Sequence, residues 1–233
     1  MSERGPGVDR FYALLAELED RCGGKRLLAE CHGRMGWPQR GVYFFFEDGE
    51  LRDDGVPPRV VRVGTHALRR LSTTTLWGRL SQHKGTTGGS TPGGGNHRGS
   101  IFRLHVGTAL LARGDWPKQV RDSWSVGSIA RSEVREAEYA LEHAVSDYIG
   151  AMPFLWLAVD DTPGPQSDRG VIERGAIALL SNLDRPVIDA ASANWLGRVA
   201  DRRLIRDSGL WNVNHTQDPP NDAVIAVLER YLR

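Results

Sequence analysis

Two short runs rich in aromatic and β-branched residues, GVYFFFE at 41–47 and RVVRVG at 59–64, do most to restrict what this 233-residue chain can fold into. Such residues suit a pleated, buried surface, so both runs are expected as strands. Asp48-Gly49 follows the first as a turn and Pro57-Pro58 precedes the second, which points to an antiparallel hairpin. A third run at 153–160, PFLWLAVD, is continuously apolar and reads as a buried strand. The remaining periodic stretches are helical. They cover 8–22 (Phe11, Leu14, Leu15, Leu18, stopped by Gly23-Gly24), 74–83 (a threonine N-cap, then Leu76 and Leu80), 133–149 (Leu141, Val145, Tyr148), 171–182 (Ile172, Ala176, Leu179) and 223–232. Residues 100–111 fit a strand or a helix. The stretch 85–99, GTTGGSTPGGGNHRG, has no apolar residue to pack and is expected as a mobile loop. The expectation is an α+β fold, a small antiparallel three-stranded sheet flanked by helices. In a single domain, 1–40 would be an N-terminal helical extension, 41–182 a core with a helical and loop insertion at 85–150, and 183–233 a helical C-terminal appendage.

With 40% hydrophobic and 25% charged residues the composition is that of a globular protein and excludes wholesale disorder. Cys22 and Cys31 are too few for a disulfide framework and form no C-x-x-C pair, which favours a reducing, cytoplasmic setting. The N-terminus lacks an apolar signal core. The best apolar run, 152–159, is far short of the ~20 residues that span a bilayer, so no membrane partner is expected.

The formal net charge of +1 conceals an uneven distribution. Sixty residues, 55–114, hold no Asp or Glu but nine Lys and Arg: Arg59, Arg62, Arg69, Arg70, Arg79, Lys84, Arg98, Arg103 and Arg113. The rest of the chain is therefore at −8. Such a segment suits a phosphate-rich ligand and argues for a nucleic-acid partner, with a solvated basic face as the plainer alternative.

Placed on the expected elements, Gly41-Val42-Tyr43 lies on the first strand and Arg62-Val63-Gly64 ends the second. Arg79 and His83 share a face of the next helix, and Glu173 stands near the start of the helix after the third strand. In order, spacing and placement this resembles the GIY-YIG nuclease family. That family carries Gly-Ile-Tyr, then Tyr-Ile-Gly, then an Arg and often a His on the first helix, and a metal-binding Glu with a following Asn, here Asn182. The resemblance covers 41–83 and 153–182. Arg62 stands where the family has its second tyrosine, so no tyrosine-dependent step carries over to that position. The insertion looks like those of restriction-type members.

The resemblance implies a metal-dependent endonuclease hydrolysing DNA phosphodiesters by a one-metal mechanism, in restriction or genome defence. Glu173 would hold Mg²⁺, with Mn²⁺ able to substitute, because Mg²⁺ takes one or two carboxylates and keeps several waters. Arg79 would fork onto a phosphate oxygen. His83, with a pKa near neutrality, would take a proton from water directly or through Tyr43, the residue that the family places beside that water. A phenol titrates near ~10, so Tyr43 needs Arg62, Arg79 or the metal nearby to act as a base. Arg62 and Asn182 are candidates for supporting or substrate contacts, Asn182 having a helix C-cap reading as well. Lys84, His97, Arg98, Arg103, Arg69 and Arg70 are candidate contacts to duplex DNA. Glu138, Glu142 and His143 read as a solvated acidic face, and Trp195 and Trp211 as core closure. No G-x-S-x-G elbow or P-loop is present. A one-site nuclease cutting both strands of a palindrome is expected to form a homodimer. The alternatives are a non-catalytic nucleic-acid-binding module on the same fold and an interaction protein that meets an acidic partner.

Overall fold

Four strands form one antiparallel sheet: β1 (Arg26–Leu27), β2 (Gly41–Leu51), β3 (Pro58–Gly64) and β4 (Pro153–Ala158), in the spatial order β1-β4-β2-β3. The computed structural model describes residues 4–86 and 94–233. Side chains alternate along β2, so Val42, Phe44 and Phe46 enter one hydrophobic cluster while Tyr43 and Phe45 enter another. Eight α-helices occur among the described residues: α1 (Gly5–Cys22), α2 (Leu76–Lys84), α3 (Ile101–Arg113), α4 (Lys118–Ser123), α5 (Ser132–Gly150), α6 (Asp168–Leu180), α7 (Arg203–Ser208) and α8 (Ala223–Tyr231). Helices α1, α6 and α8 pack on the Phe44 face, and α2, α3 and α5 on the Phe45 face. A sheet covered on both faces explains why its strands are apolar without a break. Trp195 and Trp211 are fully buried in the Phe45 layer and close that core, as expected. No helix among the described residues is long and apolar enough to cross a membrane.

The α+β architecture matches the expectation, with three local differences. The sheet has a fourth strand, because the two-residue β1 pairs with the outer edge of β4. Asp48-Gly49 does not turn the chain. Gly49 takes φ 77° inside an irregularity of the β2–β3 register between Phe46 and Leu51, and the reversal comes later, at Gly55, φ 76°. The ambiguous stretch 100–111 is helical because Ser100 caps it, its Oγ accepting from Arg103 N–H at 3.4 Å.

The expected mobile loop at 85–99 falls partly outside the described residues, at 87–93. Its last part, 94–99, is packed. A Cβ on Gly94 would stand 2.8 Å from His143 N, and Ser146 Oγ donates to Gly94 O at 2.6 Å. Here glycine permits a close approach of chain to helix, which takes the place of apolar packing.

The face of α5 expected to be solvated and acidic is interior. Glu138 and Glu142 are 1% and 4% exposed. Arg98 holds Glu138 through two hydrogen bonds of 2.6 and 3.0 Å. Arg103, 0% exposed, donates to Glu142 Oε2 from Nη2 at 2.5 Å and from Nε at 3.1 Å. His97 lies with its Nδ1 2.8 Å from Glu142 Oε1 and stacks on Trp124. Burial by itself would raise the Glu142 carboxyl, but His97 and Arg103 bring it below its ordinary value. The basic segment and α5 are thus locked together by ion pairs that neither could bury alone.

Candidate active site

Tyr43 and His83 are both 0% exposed, and Tyr43 Oη lies 2.8 Å from His83 Nε2. The pairing follows from register. Tyr43 points to the Phe45 face, where the last turn of α2 lies, and Thr75 starts that helix by accepting from Gly78 N–H at 3.0 Å. The other ring nitrogen, Nδ1, lies 2.8 Å from Ser100 Oγ. Burial, with Arg79, Arg62 and Arg103 adding to it, holds His83 well below the ordinary histidine range. The imidazole is therefore neutral at neutral pH, a correction to the near-neutral titration expected from sequence.

Arg62 lies opposite Phe45 in the register and so joins Tyr43 on the same face. It is buried, stands 4.4 Å from the Phe102 ring centroid and donates to Trp211 O at 2.7 Å. Its Nε has no hydrogen-bond partner, and no carboxylate pairs with it among the described residues. Burial lowers its pKa, while the fields of Tyr43 and Glu173 oppose that shift. A cation buried without a salt bridge is suited to meeting an anion.

The two motif glycines are steric requirements. A Cβ on Gly64 would stand 2.5 Å from Cζ of Tyr43, and one on Gly41 would stand 2.5 Å from Leu157 O. Where the chain leaves β3, Thr65 joins the layers. Its Oγ1 donates to Gly41 O at 2.8 Å and its N–H donates to Glu173 Oε1 at 3.1 Å. Glu173 reaches this point from α6, whose N-cap Ser167 accepts from Gly170 N–H at 3.3 Å. Burial pushes the Glu173 carboxyl up, and the Thr65 N–H, Arg62, His215 and Arg79 partly offset it.

Arg79 is half-buried on α2, donates only to Gln82 Oε1 at 3.0 Å and pairs with no carboxylate among the described residues. It lines an open cleft of about 730 Å³ together with Thr65, His66, Arg69 and Arg70. Arg69 and Arg70 are exposed and likewise unpaired among the described residues. Tyr43, Arg62, His83, Glu173 and Arg79 thus gather around the end of β3.

Other expected site residues lie elsewhere. Arg98, Arg103 and His97, read as DNA contacts, are spent on Glu138 and Glu142 inside the protein. Lys84 donates to Ala29 O and Cys31 O at 2.7 and 2.6 Å. Asn182 clamps the chain after α6, accepting from Arg4 Nη2 and Ile188 N–H and donating to Ile188 O. In each case a partner distant in sequence satisfies the side chain. Sequence reasoning missed Ser100, whose N-cap position signals only a helix start. It also missed Asn212, which extends the edge of β3 by bonding both Val63 N and Val63 O.

Among the described residues no three His, Cys, Asp or Glu side chains cluster as a metal site. Glu173, hydrogen-bonded to Thr65 of the cleft lining, is a hard oxygen donor whose Oε2 accepts no hydrogen bond among the described residues. That donor set fits a cation that keeps most of its waters.

A family model described as GIY-YIG domain matches residues 2–233. Comparison with curated proteins and with solved structures gives no match. The match spans nearly the whole chain and agrees with the placement of both glycine motifs on adjacent strands, and the chain therefore belongs to the GIY-YIG domain family, a family of nucleases that act on DNA and generally use divalent metal ions.

Proposed function

We propose that this protein is a Mg²⁺-dependent endonuclease that hydrolyses phosphodiester bonds of duplex DNA. The observation that carries the reading is the convergence of Tyr43, His83, Arg62 and Glu173 at the end of β3, beside a cleft with three cations that pair with no carboxylate among the described residues. Glu173 would hold the metal, and Mn²⁺ would substitute for Mg²⁺. Bound there, the cation supplies charge neutralisation to the phosphoryl and leaving oxygens. Tyr43 and His83 take the proton of the attacking water, and Arg79 forks onto a nonbridging oxygen as charge builds on it. Arg69 and Arg70 hold flanking phosphates. The inserted segment, which resembles that of restriction-type members, supports a restriction or genome-defence role.

Incubation of the purified protein with supercoiled plasmid and Mg²⁺ tests this. Nicked or linear product is expected from the parent. Glu173→Gln and Arg79→Ala should each lose at least about 10²-fold in rate while keeping the parental circular dichroism spectrum. Parental rates from both variants would overturn the assignment. Metal-independent DNA binding without cleavage in any divalent ion would select a non-catalytic binding module, a reading that the replacement of the motif tyrosine by Arg62 favours.

A further inference from the structure

The loop from β3 to α2 presents an apolar side chain to solvent on a backbone that disfavours it. Leu71 is 87% exposed, the most exposed large hydrophobic side chain among the described residues. Its φ is 67°, in the left-handed region. Ser72 N–H donates to Arg69 O at 3.1 Å and closes a four-residue turn with Leu71 at the third position. A turn with a left-handed third residue ordinarily places glycine or asparagine there, because the Cβ of a larger residue crowds the following carbonyl. Leucine at this point gains neither burial nor an easy backbone, so folding gives no reason for it. Its neighbours point to a ligand. Arg69 and Arg70 directly precede it, both exposed and without an acidic partner among the described residues. Leu71 lines the same cleft as these two, together with Thr65 and Arg79.

We infer that Leu71 is a wedge that enters the base stack of duplex DNA from the minor groove, while Arg69 and Arg70 hold phosphates beside the opened step. Duplex DNA offers the two surfaces that this turn matches: an anionic backbone for the guanidinium groups, and apolar base faces for a side chain that parts two neighbouring pairs. Leucine is among the residues that minor-groove proteins insert in this way, and the left-handed turn holds it clear of the rest of the chain. The inference rests on the reading of the cleft as a DNA site and adds a source of specificity to it. Pyrimidine–purine steps unstack most easily, so the wedge selects them through the energy of deformation, with no hydrogen bond to a base edge. The same wedge kinks the duplex at the cleft whose Thr65 holds Glu173.

The topology of a closed-circular plasmid tests the wedge without cleavage. Relaxed plasmid is incubated with the full chain and a metal-independent type I topoisomerase in EDTA, and linking number is read on a gel after protein removal. A mobility shift in the same buffer measures binding. The parent should lower the linking number in proportion to the protein bound, because parting a base step unwinds it. Leu71→Met should keep that effect. Leu71→Asn suits the left-handed turn and leaves both arginines in place, so it should fold and bind with the parental salt slope yet lose most of the unwinding per bound protein. Binding by the parent without unwinding, or parental unwinding by Leu71→Asn, would overturn the wedge and leave the DNA reading standing. Unwinding by a parent that cuts no DNA once divalent metal is supplied would uphold the wedge and overturn the nuclease reading. A parent that binds no DNA would overturn both, and binding to phosphatidylserine vesicles that Leu71→Asn abolishes would then assign the loop to an anionic lipid surface.

Discussion

Tyr43 and Gly64 face each other across the β2–β3 pair so closely that a Cβ on Gly64 would stand 2.5 Å from Cζ of the Tyr43 ring. The second motif's glycine therefore exists to let the first motif's tyrosine reach His83. Gly64→Ala should displace the ring, cost about 1–3 kcal/mol in urea denaturation and reduce cleavage more than it reduces DNA binding. Unchanged stability and activity would show that the ring has room to move.

The Arg103–Glu142 pair is enclosed, so removing one partner strands the other's charge. Glu142→Gln or Arg103→Met should each cost about 3–5 kcal/mol of stability. The double replacement Arg103→Met, Glu142→Met should recover part of that loss, a coupling that a double-mutant cycle in urea would reveal. DNA affinity of folded protein should not change, because neither group reaches the surface.

Arg69 and Arg70 make the contrary case. Both are exposed at the cleft with no acidic partner among the described residues. Replacing either by Ala should weaken duplex binding and reduce the slope of log affinity against log salt by about 0.9 for each phosphate that the variant no longer neutralises. Stability should stay within about 0.5 kcal/mol. A parental salt slope in the double variant would remove these residues from the interface.

His105 gives a pH-dependent prediction independent of catalysis. It is buried on α3, its Nε2 has no partner among the described residues, and burial, helped by Arg62, holds its pKa at about 4. An unfolded chain's imidazole titrates near ~6.5. Between those values the unfolded state binds a proton that the folded state refuses, so this residue subtracts stability as pH falls below ~6.5 and has no such effect above it. The stability gap between parent and His105→Gln, measured in urea at pH 7 and pH 5, should move toward the variant by at most about 1.4 kcal/mol per pH unit. A gap independent of pH would contradict the buried, neutral assignment.

Much of the architecture is local information. The helices at Gly5–Cys22, Leu76–Lys84, Ser132–Gly150 and Asp168–Leu180 follow from apolar spacing, with boundaries set by Gly23, Thr75 and Ser167. The order of Tyr43, Arg79, His83 and Glu173 along those elements is enough to expect them near one another. The two-residue β1 was not legible, since a strand that short exists only through its pairing with β4. The packing of 94–99 was equally hidden, because glycine contacts leave no hydrophobic pattern.

The basic segment separates what sequence determined from what tertiary structure decided. Composition alone established nine cations across sixty residues with no acid among them, and hence that their counter-charges had to come from elsewhere in the chain or from a ligand. Which cations found a protein partner depended on the packing of α3 against α5, and on the return of β2 beside β3, where Glu50 pairs with Arg59. Arg59, Arg98 and Arg103 were neutralised inside the fold, while Arg69, Arg70 and Arg79 were left at one cleft. Charge is carried by residues, but its neutralisation depends on distance in space, and distances between segments far apart in sequence are set only when the layers pack.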